Sequence, residues 1–159
     1  IAILSAITLI ILLINNNYLS ITSHSKYIKL FFTRLLRKYE FREYWGASYL
    51  VVGFLCISIF FDKDIVIISM IITSICDSLA AIVGIKYGKL KLSNNKSIEG
   101  FYIFLISTYI ILFVSFEISI LYIFIISSLI ALVELFTPTK YDNLTIPFAS
   151  TLILTLFKI

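Results

Sequence analysis

An all-α polytopic membrane bundle, with about six transmembrane helices and one cytoplasmic amphipathic helix, is the fold this sequence predicts. Three observations carry it. Sixty per cent of the 159 residues are hydrophobic and the mean hydropathy is +1.05, whereas soluble domains sit nearer about 45–50% apolar. A soluble fold of this length has no interior large enough to hide so much apolar surface. The apolar runs are continuous and do not alternate residue by residue, which favours helices over a lipid-facing barrel. Lys and Arg also fall almost entirely in connections that one side of the membrane would hold.

The elements follow from charge-free runs. Residues 1–14 are apolar and read as part of a first helix. The chain opens Ile1-Ala2-Ile3 without a methionine, so a preceding segment is expected. Further runs cover 44–61, 65–84, 101–116, 118–133 and 144–157, with Asp77 the one charge inside the second of these. Some are shorter than the roughly 20 residues a spanning helix needs, so flanking residues must join them. Six basic residues (Lys26, Lys29, Arg34, Arg37, Lys38, Arg42) lie in the first connection. Lys86, Lys89, Lys91 and Lys96 lie in the loop 85–97, and Lys140 lies in the turn containing Pro138. Only Lys63 and Lys158 fall on the opposite side, so the three basic connections are assigned to the cytoplasm. Within 26–42, Ile28, Phe31, Phe32, Leu35, Leu36 and Tyr39 recur at helical spacing opposite Lys29, Arg37 and Glu40. That segment predicts an amphipathic helix in the headgroup plane.

The cysteines Cys56 and Cys76 sit in apolar runs without metal-ligand spacing and read as small buried hydrophobes. His24 reads as a solvated loop residue. Asp77 is different. An ionised Asp at the centre of a spanning helix costs about 2.5–3.5 kcal/mol on insertion scales. Either it pairs with a polar residue of another helix, or it faces a cavity open to the cytoplasm, and intramembrane carboxylates favour the second. Asp77, Ala81, Gly84 and Gly88 share one helical face. A Gly-x3-Gly pair ordinarily means close helix packing, yet the same small face lets a ligand approach the backbone. Lys96 and Glu99-Gly100 follow. Carboxylates suit Mg²⁺ and ammonium groups suit phosphate oxygens, so this combination points to a metal–phosphate ligand. Glu40, Asp77, Glu99, Glu134 and Asp142 all map to the cytoplasmic half, while Asp62, Asp64 and Glu117 map to the other.

Asp77-x2-Ala80-x3-Gly84-x3-Gly88 followed by Lys96-Ser97-Ile98-Glu99-Gly100 resembles the CTP-binding region of the family of dolichol kinases, phytol kinases and yeast-type diacylglycerol kinases. Related spacing occurs in phosphatidate cytidylyltransferases. Arg37-x2-Glu40 followed by Gly46, Tyr49 and Gly53, then Glu134, then Asp142-Asn143-Leu144-Thr145-x-Pro147, fit the kinase branch in the same order. The late Lys-Asp pair and Pro/Gly/His-rich stretch of the cytidylyltransferases are absent. Where the kinases carry a basic pair after the glycine, this chain has Ile85-Lys86.

The resemblance implies transfer of the γ-phosphate of CTP to the hydroxyl of a membrane lipid alcohol, with a polyprenol such as geranylgeraniol, phytol or dolichol preferred. It implies that Asp77, with Glu99 or Glu134, holds Mg²⁺. It implies that Lys96 and Arg37 neutralise phosphate and that Asp142 or Glu40 activates the alcohol. Nucleotide contacts are expected from Ala81, Gly84, Lys86, Gly88, Ser97 and Gly100, with Asn143 orienting a neighbour. The expected partners are the lipid alcohol, the nucleotide and the bilayer, with a homodimer left open and no nucleic acid. The rival readings are a cytidylyltransferase making a CDP-lipid, a diacylglycerol kinase, and a small cation or proton transporter. A transporter needs polar residues along a whole path, whereas these crowd one face.

Overall fold

The computed structural model of the chain describes residues 46–92 and 96–157. Its regular elements are α1 (Gly46–Phe60), α2 (Lys63–Ile71), a π-helical turn (Ile72–Cys76), α3 (Asp77–Tyr87), α4 (Ile98–Ser115), α5 (Ile120–Phe136) and α6 (Asp142–Leu156). The α2 helix, the π turn and α3 form one continuous helix of 25 residues, Lys63–Tyr87. These rods coincide with the last five apolar runs. The expected first span, 1–14, and the amphipathic segment 26–42 lie outside the described residues.

The breaks between helices have local causes. Asp62 holds extended backbone between α1 and α2. Ser97 caps α4, its hydroxyl accepting from the Gly100 N–H at 3.1 Å. That cap starts the helix at Ile98, three residues before the apolar run, because Ser97 to Gly100 form its first turn. Thr137 ends α5 in extended backbone, the conformation that the following Pro138 imposes on it. The α3 helix runs to Tyr87, so the connection to α4 is shorter than the apolar pattern suggested. That connection is a small hairpin, with the Leu92 N–H donating to the Lys96 carbonyl at 2.6 Å and the Ile98 N–H to the Leu90 carbonyl at 3.0 Å. A single antiparallel bridge joins Lys91 and Ser97.

The α3, α4, α5 and α6 helices pack in sequence, and α6 also lies on α1 and α2. Their shared core includes Ile72, Cys76, Ala80, Phe104, Leu112, Ile126, Ile130, Ile146 and Leu154. Gly53 lets α6 come close to α1. A Cβ there would sit 3.0 Å from the Asn143 carbonyl and 3.2 Å from the Pro147 ring. Cys56 and Cys76 are both free thiols. Cys76 belongs to the core, as a small hydrophobe should.

The exterior carries many large apolar side chains. Ile59, Phe60, Ile82, Ile85, Phe113, Val114, Leu121, Phe124 and Leu156 are all exposed. So much apolar surface around a bundle marks contact with lipid or another apolar phase. Lys63–Tyr87 and Ile98–Ser115 are long and apolar enough to cross a membrane. Only 39% and 22% of their most apolar windows are buried, unlike the core helices of a soluble domain. Tyr49–Phe60 and Ile120–Phe136 are shorter apolar helices.

Candidate active site

Asp77 is the first residue after the π turn. Inside that turn the Thr73 hydroxyl donates to the Ser69 carbonyl at 2.8 Å, a back-bond that bends helices. A π turn inserts a residue and so rotates everything beyond it relative to a regular helix. The rotation decides which way the Asp77 face of α3 is aimed.

Three other elements bring charge to the same end. Lys96 leaves the hairpin just before the Ser97 cap. Glu134 lies in the last turn of α5, and Asp142 opens α6. The Lys96 ammonium sits 2.8 Å from Glu134 Oε1 and 3.0 Å from Asp142 Oδ1. It also donates to the backbone carbonyl of Glu134. All three side chains are at most 8% exposed. A buried ion pair of this kind adds little stability against an apolar core of the same volume, because desolvation offsets the attraction. Carboxylate oxygens of Asp77, Glu134 and Asp142 lie within 4.8 Å of one another. One cation can touch all three.

Beside these charges is a cavity of about 430 Å³. Its walls include Asp77, Ala80, Ala81, Gly84, Ile85 and Gly88, then Lys91, Lys96 and Ser97, then Gly100 and Phe101, and finally Glu134, Thr139 and Asp142. The glycines serve both readings of the Gly-x3-Gly pair. A Cβ on Gly84 would lie 2.9 Å from Ser97 Oγ, and one on Gly100 would lie 3.0 Å from the Ala80 carbonyl. The α3 and α4 backbones therefore meet closely, and the bare faces that permit this also wall the cavity.

Asp77, Lys96, Glu134 and Asp142 are thus brought together, with Ala81, Gly84, Gly88, Ser97 and Gly100 around the same space. Glu99 is directed elsewhere. Its Oε1 accepts from the Lys89 backbone N–H at 3.1 Å, tying the hairpin to the first turn of α4. Lys86 places its ammonium 5.2 Å from the Tyr87 ring centre, and neither it nor Asn143 lines the cavity. Arg37 and Glu40 lie outside the described residues. Sequence reasoning missed Lys91, Thr139 and Phe101 as cavity walls. For Lys91 a signal exists, since Lys89-Leu90-Lys91-Leu92 alternates with the period of extended chain.

Fold and site together define a helical protein with an apolar exterior and, among its described residues, a buried cluster of charges toward one end of its bundle. Over 165 residues the chain is 36% identical to an uncharacterised protein of Rickettsia prowazekii, a match that covers 98% of this chain and 79% of that one. It belongs to the family of that protein. Over 68 residues, 42% of its length, it is 40% identical to CTP-dependent diacylglycerol kinase 1 of Saccharomyces cerevisiae. Over a stretch of the same length it is 38% identical to CTP-dependent diacylglycerol kinase 1 of Eremothecium gossypii. The matches span 23% and 22% of those two kinases. They support a relation to CTP-dependent lipid kinases in general. No family model and no solved structure matches the chain.

Proposed function

We propose that this protein is a CTP-dependent kinase that phosphorylates the hydroxyl of a membrane lipid alcohol of the polyprenol class. The observation that carries the reading is the convergence of Asp77, Lys96, Glu134 and Asp142 from separate elements onto one cavity. The local similarity to two fungal CTP-dependent kinases supports CTP as donor.

Mg²⁺ fits the donor set. Asp77, Glu134 and Asp142 offer hard anionic oxygens within reach of one ion, and a positive charge, the Lys96 ammonium, is already drawn into them. Those three residues would hold the ion, while Glu99, from the first turn of α4, would steady the hairpin beside them. When bound, it supplies charge neutralisation on the phosphates. The chain does the rest by positioning, which dominates phosphoryl transfer. Lys96 and Lys91 face phosphate oxygens, with Arg37 a third cation from the first connection. The small face of α3 admits the nucleotide close to backbone. The alcohol oxygen forms a bond to the γ-phosphorus, the bond from that phosphorus to the β–γ bridging oxygen breaks, and CDP leaves. The alcohol proton passes to Asp142 or Glu40.

The proposed topology has six spans with the site on the cytoplasmic face. The exposed apolar side chains and the one-sided distribution of Lys and Arg support it. The alcohol head then meets a cytosolic nucleotide while its tail stays in lipid. A diacylglycerol acceptor is the second reading, favoured by the substrate named for the two matched kinases. Membranes containing the chain, given γ-labelled CTP, ATP, GTP or UTP and a panel of lipid alcohols, test both. Label is expected on a polyprenol with CTP alone. Label on diacylglycerol selects the second reading, and no labelled lipid with any nucleotide contradicts the kinase assignment.

A further inference from the structure

The Lys96 ammonium is held by Glu134 and Asp142. It donates to Asp142 Oδ1 and to the Glu134 backbone carbonyl, and it forms an ion pair with Glu134 Oε1 at 2.8 Å. A lysine ammonium has three donors, two of them are given to these oxygens, and its charge is shared between two carboxylates. Yet Lys96 lines the cavity, and its neighbour Ser97 starts the helix that forms one wall. The residue in the best position to meet a phosphate is therefore engaged by the carboxylates that would hold a metal.

We propose that the Lys96 ammonium is a tethered stand-in for the divalent cation, exchanged for it when the ion binds. This rests on the metal reading of Asp77, Glu134 and Asp142 given above. The ammonium occupies the edge between Glu134 and Asp142, two of the three carboxylates that converge. Two positive centres cannot share that edge without strong repulsion in a buried, low-dielectric setting. The ion takes the carboxylate oxygens, and the ammonium turns into the cavity on its flexible four-carbon stem. The hairpin need not move, since its backbone bonds involve the Lys96 carbonyl and not its side chain. The exchange does two things. It keeps the buried carboxylates compensated while the site is empty, where an unpaired buried charge is costly. It also makes Lys96 available for phosphate only once the metal is in place, so that metal and nucleotide bind in a coupled way.

The test uses the full chain in detergent with Mn²⁺ as the ion and no nucleotide. Free Mn²⁺ is followed by electron paramagnetic resonance, and lysines are acylated with a small amine reagent and quantified by mass spectrometry. Lys96 is expected to be protected without Mn²⁺ and labelled several-fold faster with it, while the exposed Lys63 at the other end is unchanged. Lys96→Gln, which keeps a donor but loses the charge, is expected to bind Mn²⁺ about tenfold more tightly. Mn²⁺ binding with Lys96 still protected overturns the exchange and leaves the metal site standing. No Mn²⁺ binding by either protein overturns the metal reading itself, and the exchange with it.

Discussion

The two ends of this bundle both carry charges and use them in opposite ways. At one end Asp62 and Glu117 sit in short connections and Lys63 and Asp64 open α2, all exposed. Toward the other, roughly 21 Å along the helix from Lys63 to Asp77 at 1.5 Å per residue, Lys96, Glu134 and Asp142 are almost wholly buried and gather beside Asp77. Exposed charges at a helix end cost nothing and need no function. Buried ones cost desolvation and persist where something uses them. The contrast separates charges that topology explains from charges that chemistry explains.

The largest expected effect breaks this contrast directly. Asp77→Asn keeps the shape of the side chain and removes its charge. It should lower lipid phosphorylation by about two orders of magnitude or more, as loss of a key electrostatic group does. Asp64→Asn at the far end should leave the rate within about twofold. Equal effects of the two substitutions in a membrane kinase assay would remove the distinction between the ends.

Next in size is Gly88→Ala. The new Cβ would fall 2.2 Å from the Gly84 carbonyl and 2.7 Å from Ser97 Cβ, so backbone must shift. A loss of about 1–3 kcal/mol is expected, read as a lowered midpoint of thermal unfolding in detergent. Ser97→Ala removes the hydroxyl that caps α4 and should cost about 1 kcal/mol in the same assay.

The smallest effect sharpens the boundary of the site. Glu99→Gln retains an oxygen that can accept from the Lys89 N–H, so activity should stay within about threefold. Glu99→Ala frees the hairpin and should raise the KM for CTP more than it lowers kcat. If Glu99→Gln is as damaging as Asp77→Asn in the same kinetic assay, Glu99 belongs with the metal-holding carboxylates.

Much of this was readable in the sequence, for physical reasons. Charge-free runs mark helices because a charge inside one is expensive, and the five described rods lie on five such runs. Asp77, Lys96, Glu134 and Asp142 could be grouped because the distribution of Lys and Arg assigns all four to one half of the bundle. The π turn at Ile72–Cys76 left no comparable mark, since Ser and Thr in an apolar helix fit a regular turn equally well. The partner of Glu99 was hidden for a related reason. A carboxylate in the first turn of a helix looks the same in sequence whether it faces a cavity or a neighbouring loop. Lys91 was masked by the surrounding lysines, each of which topology alone would account for.

The central claim is that the buried end is a phosphoryl-transfer site, and matched labelling of CTP tests it most directly. The purified wild-type chain, Asp64→Asn and Asp77→Asn are each given a lipid alcohol with CTP labelled at either the α- or the γ-phosphate. The account predicts γ-label on the lipid for wild type and Asp64→Asn, about a hundredth as much or less for Asp77→Asn, and no α-label for any of them. An α-labelled lipid, or γ-transfer undiminished in Asp77→Asn, would contradict it.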